Sequence, residues 1–111
     1  MRQYEIWWAD MPVPVGRRPV LLLSRDGAYE YLNHFIVVEV TSTIRSIPVE
    51  VSLGRTEGLR RRSAANFDNL HVVSKKRLVS RIGSLREARV AEVKRALGYA
   101  LGWTELKLLE A

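Results

Sequence analysis

Gly16-Arg17-Arg18-Pro19-Val20-Leu21-Leu22-Leu23-Ser24, with its counterpart Val38-Glu39-Val40-Thr41-Ser42-Thr43, decides how this chain is read. Each is an apolar, strand-like run with a polar group at one end. Residues 20–23 are continuously apolar, the mark of a strand buried on both faces rather than one. Pro19 lacks a backbone donor and belongs at a strand start. If the two strands pair, a fixed cation and one or more hydroxyls converge at one end of the sheet. That is the minimum kit for holding a phosphodiester.

Working outward, Glu5-Ile6-Trp7-Trp8-Ala9 reads as a first strand, rich in residues that suit a half-buried sheet. Residues 11–16 break it with two prolines and Gly16, and the next strand resumes at Arg18 or Pro19. Ser24 is placed to cap a short helical turn through Tyr29 to Leu32. Phe35 to Thr41 predicts a third strand, Val49 to Leu53 a fourth, and Ser42 to Pro48 a polar hairpin loop carrying Arg45. Ser63 to Asn69 and His71 to Val73 read as strand segments, and residues 75–78 as a loop or single turn. Ser84-Leu85-Arg86-Glu87 has the pattern of a capping box. The helix it opens carries Val90, Val93, Leu97 and Leu101 at helical spacing and ends near Gly102; residues 103–111 read as a tail. The order predicts a small α+β domain around a twisted antiparallel sheet or partly open barrel, closed by a C-terminal helix.

Composition narrows the chemistry. The 111 residues suit one domain, and no apolar run approaches the length of a bilayer span. With no leader-like segment at the start, the expected location is the cytoplasm. Without cysteine there is no thiolate nucleophile, disulfide or cysteine-based zinc site. The net charge of +6 is unevenly placed: residues 55–89 hold ten of the 18 Lys and Arg against three acids, and the remainder is slightly acidic. Clustered Arg and Lys point to a polyanionic partner. A basic face that serves only solubility is the bland alternative.

The segments Glu5-Ile6-Trp7-Trp8-Ala9-Asp10, Gly16 to Ser24, Val40-Thr41-Ser42-Thr43 followed by Ile47-Pro48-Val49-Glu50-Val51, Asn66-Phe67-Asp68-Asn69-Leu70-His71, and Arg77-Leu78 ahead of Ile82 and Leu85, taken in this order, resemble the MazF/PemK family of toxin endoribonucleases. The resemblance covers most of the chain. It implies an SH3-like or CcdB-like barrel that forms a homodimer, is silenced by an acidic antitoxin, and cleaves single-stranded RNA without metal or cofactor. The family reaction is attack of the ribose 2′-OH on its own 3′-phosphate, and the resemblance places its chemistry on Arg18 and Thr41. The group that moves protons stays open, because arginine remains protonated at ordinary pH.

Around that pair, Arg17, Ser42, Thr43 and Arg45 are expected beside the pocket, as phosphate ligands or solvated groups. Asp68 and Asn69 match a family position that reads bases. Lys75, Lys76 and Arg77 are expected to contact RNA, and Arg60 to Arg62 to meet RNA or antitoxin. His71 reads as a satisfied strand histidine. Of Trp7 and Trp8, at least one belongs to a core or an interface, since adjacent strand residues face opposite ways. Two departures from the family stand out: a shortened loop at Val13-Pro14-Val15-Gly16, and Tyr4 where the family commonly has glycine. Two further readings compete, a CcdB-like topoisomerase-binding poison and a nucleic-acid-binding regulator without catalysis.

Overall fold

The computed structural model describes residues 1–110; Ala111, the end of the expected tail, lies outside the described residues. Six strands, β1 (Glu5–Met11), β2 (Gly16–Leu22), β3 (His34–Thr41), β4 (Glu50–Leu53), β5 (Ser63–Ser74) and β6 (Leu78–Ser84), form one antiparallel sheet in the order β4-β5-β3-β2-β1-β6. Helix α1 (Ala28–Tyr31) is inserted between β2 and β3, and α2 (Val90–Leu101) and α3 (Thr104–Lys107) follow β6. The sheet curls into a half barrel, as the α+β reading anticipates.

The apolar run of β2 is buried on both faces. Val20 and Leu22 join Ala9, Phe35, Val37, Val73, Leu78 and, from α1, Ala28 and Tyr29 in one cluster. Leu21 points the other way and joins Ile6, Val38, Val40, Phe67 and, from α2, Val93 and Ala96 in a second. Val20, Leu21 and Leu22 are each fully buried, and burying a side chain of this size is worth about 1.5–3 kcal/mol. The strand therefore serves as the wall between two cores.

Strand β5 is one long bent element rather than two segments. Its far half pairs with β3 from Val38↔Leu70 to His34↔Ser74, and its near half pairs with both β4 and the end of β3, as in Val40↔Ala65. Four residues, Asn66 to Asn69, stand opposite the single residue Glu39, an irregularity that turns the strand through the corner of the half barrel. The Asn66 side chain holds the corner by accepting from the Asp68 backbone N–H at 2.9 Å.

Several local expectations are corrected. Ser24 does not cap α1: its hydroxyl accepts from the Ile36 N–H at 2.8 Å and so serves β3, while Gly27 occupies the N-cap position. Ser84 and Glu87 do not form a capping box, because Ser84 ends β6 and a single 3₁₀ turn over Glu87–Arg89 leads into α2. Strand β6 occupies Leu78–Ser84, where the sequence reading places no strand and takes Leu78 into the preceding loop or turn. Leu101 is exposed, and Ala96 takes a core place instead. The tail turns back as α3, packed so closely on α2 that a Cβ at Gly98 would meet Leu106 Cβ at 2.7 Å.

Tyr4 adopts φ of 71°, the left-handed region. The bend that glycine commonly supplies is thus kept, at a cost of about 1–2 kcal/mol for an L-residue. Its N–H donates to Leu22 C=O at 2.8 Å and its own C=O accepts from Leu85 N–H at 2.9 Å, which clamps the bend between β2 and the entry to α2.

Candidate active site

Strand register puts Arg18 and Thr41 on one face. Strands β2 and β3 pair as Leu22↔Val37, Leu21↔Val38 and Val20↔Glu39, and the next same-face positions, beyond the last paired residues, are Arg18 on β2 and Thr41 on β3. Arg18 also pairs with Ala9 on β1. It therefore lies on the face of Val20 and Ala9, where the first core opens to solvent.

Thr41 is primed as a donor. Its hydroxyl oxygen accepts from the Thr43 backbone N–H at 3.1 Å, so the hydroxyl hydrogen is left to point elsewhere. Arg18 is only loosely held. Its Nε lies 4.0 Å from Glu39 Oε1, with the side chain 42% exposed. Most of its donor fork is consequently available to an incoming oxyanion. On the same face, the other Glu39 oxygen sits 3.1 Å from His71 Nε2. Sequence reasoning passed over Glu39, which looks like an ordinary polar break in an apolar strand. Only the pairing of β3 with both neighbours shows that it stands between Arg18 and His71.

Arg17 faces the other way. Its Nε donates to Asp10 Oδ1 at 2.9 Å, and this pairing keeps its guanidinium protonated. It helps line a cavity of about 760 Å³ with Trp8, Ser42, Arg60 and Arg61, to which Arg18 also contributes. Trp8, 38% exposed, offers its ring there, whereas Trp7 packs against the first core and donates from Nε1 to Glu5 at 2.9 Å. Splitting the tryptophans between a core and a surface is what strand alternation requires. A second hollow of about 900 Å³ lies near Tyr4 and α2, away from Arg18 and Thr41; its Arg81 and Glu5 are paired at 3.2 Å.

The remaining expected residues are dispersed. Thr43 and Arg45 lie on the exposed loop after β3, where the backbone N–H groups of Arg45 and Ser46 are pinned by the Glu50 carboxylate at 2.9–3.2 Å. Asp68 and Asn69 are exposed on the β5 corner, with Asn69 two residues from His71. The basic trio divides: Lys75 Nζ donates to Tyr29 C=O at 3.2 Å and Arg77 Nη1 to Asp10 C=O at 2.9 Å, while Lys76 is exposed. Two of the three thus brace the fold with the same cations that could meet RNA. Among the described residues, no three His, Asp or Glu side chains gather into a metal-holding group.

The comparisons agree with this architecture. The profile of the PemK-like, MazF-like toxins of type II toxin–antitoxin systems matches residues 2–101. The chain is 41% identical over 98 residues to the probable endoribonuclease MazF5 of Mycobacterium tuberculosis, covering 87% of this chain and 89% of that protein. Against the probable endoribonuclease MazF2 of the same species the identity is 34% over 103 residues, covering 92% and 99%. The solved Mycobacterium tuberculosis toxin MazF-mt6 superposes with a TM-score of 0.83 at 28% identity, over 88% of this chain and 96% of that one. A mycobacterial endoribonuclease solved with its cognate antitoxin shares the fold at a TM-score of 0.79 and 24% identity, over 93% and 96%. With that profile running along nearly its whole length on the same half barrel, the chain belongs to the PemK-like, MazF-like toxin family of type II toxin–antitoxin systems.

Proposed function

We propose that this toxin is an endoribonuclease whose catalytic pair is Arg18 and Thr41. What supports the reading is their placement: a loosely held guanidinium and a hydroxyl with a free hydrogen, on one face just past the last paired residues of β2 and β3. A phosphodiester seated there is attacked by the neighbouring 2′-oxygen. The P–O5′ bond breaks, leaving a 2′,3′-cyclic phosphate and a 5′-OH. The five-coordinate transition state carries more charge on its non-bridging oxygens than the substrate does. A cation and a donor already aimed at those oxygens therefore favour the transition state over the bound RNA.

The single strand runs from this pair past the cavity of Trp8, Arg17, Arg60 and Arg61, where a base stacks on the indole and flanking phosphates meet the arginines. Ser42, Thr43, Arg45 and Lys76 border the path; Asp68 and Asn69 read base edges at the β5 corner. An antitoxin with an acidic, partly disordered segment covers the same basic surface, and salt weakens its binding. The chain works as a homodimer in the cytoplasm. Exposed apolar groups such as the Ile36 and Val72 cross-strand pair support an interface. No helix among the described residues is long and apolar enough to cross a membrane.

The test is incubation of the purified protein in EDTA with long mixed-sequence RNA, beside Arg18→Ala and Thr41→Ala. Fragments with 5′-OH ends, absent in both variants and blocked by a single 2′-deoxy substitution at the cut, are expected. RNA left intact by the wild-type chain, or cut equally well by both variants, overturns the reading.

A further inference from the structure

We propose that Glu39 is a positioning residue for Arg18: its carboxylate, braced by His71, turns the guanidinium so that its Nη fork faces the scissile phosphate. The inference rests on the ribonuclease reading above and adds the group that aims the cation.

Strand register fixes only the face on which Arg18 emerges. Several side-chain torsions then decide where the guanidinium lies, and that freedom is costly to remove at the moment of reaction. A fixed charge on the same face removes part of it in advance. Glu39 is the acid so placed. It stands opposite Val20, the neighbour of Arg18 on that face of β2, and its Oε1 lies 4.0 Å from Arg18 Nε.

Glu39 is itself held. Its other oxygen, Oε2, is 3.1 Å from Nε2 of His71, which stands opposite Val37, two residues from Glu39 along β3 and on the same face. A carboxylate oxygen accepts, so Nε2 carries the shared hydrogen. The Glu39 side chain is 19% exposed against 42% for Arg18, so the brace is less open to solvent than the group it aims. With His71 on one oxygen, the carboxylate presents the other to Arg18.

Two features separate aiming from simple pairing. A separation of 4.0 Å is charge attraction rather than a hydrogen bond, so Arg18 is drawn by its Nε edge without surrendering donors. Arg17, closed on Asp10 at 2.9 Å, shows the other outcome on the same strand, an Nε spent on its partner. The second feature is the sign of the charge. A carboxylate opposes a polyanion on the face where RNA is cut, so it does not serve affinity. Its action falls on the arrangement of the cation instead.

The test is a double-mutant cycle in single-turnover cleavage at saturating RNA, with wild type, Glu39→Gln, Arg18→Ala and the two combined. Affinity is measured in parallel on an uncleavable 2′-deoxy strand, which also reports whether each variant is folded. Glu39→Gln keeps the shape of the side chain and removes its charge. Its rate should fall about tenfold, while affinity stays equal or tightens by up to about threefold. In the Arg18→Ala background the same substitution should change the rate by less than about twofold, because nothing is left to aim. The same cycle run with His71→Gln, a more exposed site, gives a second reading should Glu39→Gln unfold: a smaller loss of rate, again absent beside Arg18→Ala.

A Glu39→Gln rate within about twofold of wild type overturns the proposal. So does an affinity loss as large as the rate loss, the mark of a disturbed fold, and so does a rate loss that recurs undiminished in the Arg18→Ala background. A His71→Gln loss larger than that of Glu39→Gln overturns it as well. Wild-type protein that leaves RNA intact, or Arg18→Ala that cuts as well as wild type, brings down the ribonuclease reading itself. Cutting lost in Arg18→Ala but unchanged in Glu39→Gln brings down this proposal alone.

Discussion

Arg17 and Arg18 are neighbours on β2 and occupy opposite faces of it. Arg17 closes on Asp10 at 2.9 Å beside the Trp8 cavity, while Arg18 stands 4.0 Å from a carboxylate that is also bonded to His71. A surface arginine with a firm partner contributes charge to a region and little geometry, since solvent screens an exposed pair. A loosely held arginine on a strand, by contrast, has its face set by the backbone and its donors open. In the proposed reading the two faces divide the labour of one cut: one grips the strand, the other performs the chemistry.

That contrast breaks most visibly under paired alanine substitution. Arg18→Ala should lower the single-turnover rate at saturating RNA by about 10²–10³-fold, or about 3–4 kcal/mol, the usual loss for one preorganised donor. Arg17→Ala should leave the rate of bound RNA within a few-fold. It should weaken affinity and lower the dependence of log K on log salt by about one unit. Equal effects on rate would mean that the register of β2 does not separate their roles.

The wall of the gripping face is set by backbone contact. Residues 54–58 lie so close to β6 that a Cβ at Gly83 would overlap the Glu57 carbonyl oxygen, and one at Gly58 would come within 2.5 Å of the Ile82 carbonyl oxygen. Gly83→Ala should therefore cost about 2–3 kcal/mol as backbone is forced apart, lowering Tm by roughly 10 °C. The displaced wall should weaken RNA affinity more than the bound rate. Gly27→Ala is the control, because a Cβ there meets nothing within 4 Å, and its Tm should stay within about 2 °C of wild type. Matching losses at both glycines would place the sensitivity in glycine content rather than in this contact.

How far the sequence discloses such features depends on their range. Burial of β2 on both faces is visible in its continuous apolar run, and Val20, Leu21 and Leu22 divide between two cores accordingly. Strand β6 escapes because it is an edge strand with two register shifts against β1 and exposed Val79, Ser80 and Arg81, so the period-2 signal is diluted. Ser24 and Ser84 mislead for different reasons. The Ser24 hydroxyl serves a backbone group that folding brings near, Ile36, twelve residues away, whereas Ser84 closes β6 and a 3₁₀ turn stands between it and α2. Within the proposed site, Arg18 and Thr41 are singled out by the motifs that flank them. Glu39 is not, since its meaning comes from strands on either side of it, and the cavity wall is legible only once Gly58 and Gly83 are seen against their neighbours.

The smallest expected effect concerns how that wall is fastened to α2. Arg89 donates to Glu92 at 2.8 Å, to the nearly buried Glu57 at 3.2 Å and to Ser52 C=O at 2.7 Å. Its hydrogen bond holds the Glu92 carboxyl below the usual carboxylate range, against the opposing pull of partial burial. A carboxyl whose folded value is depressed adds stability that is full above its unfolded value and is lost as pH falls through the folded one. With Glu92 about a third exposed, solvent screening reduces that contribution to about 0.5 kcal/mol. Glu92→Gln should therefore shift the urea midpoint slightly at pH 7, and the gap from wild type should close as the solution is acidified below the ordinary carboxylate range. Cleavage rate at saturating RNA should not follow this change, because none of these side chains touches the face of Arg18 and Thr41. A rate that tracked the midpoint would show that the gripping wall and the reacting face move together.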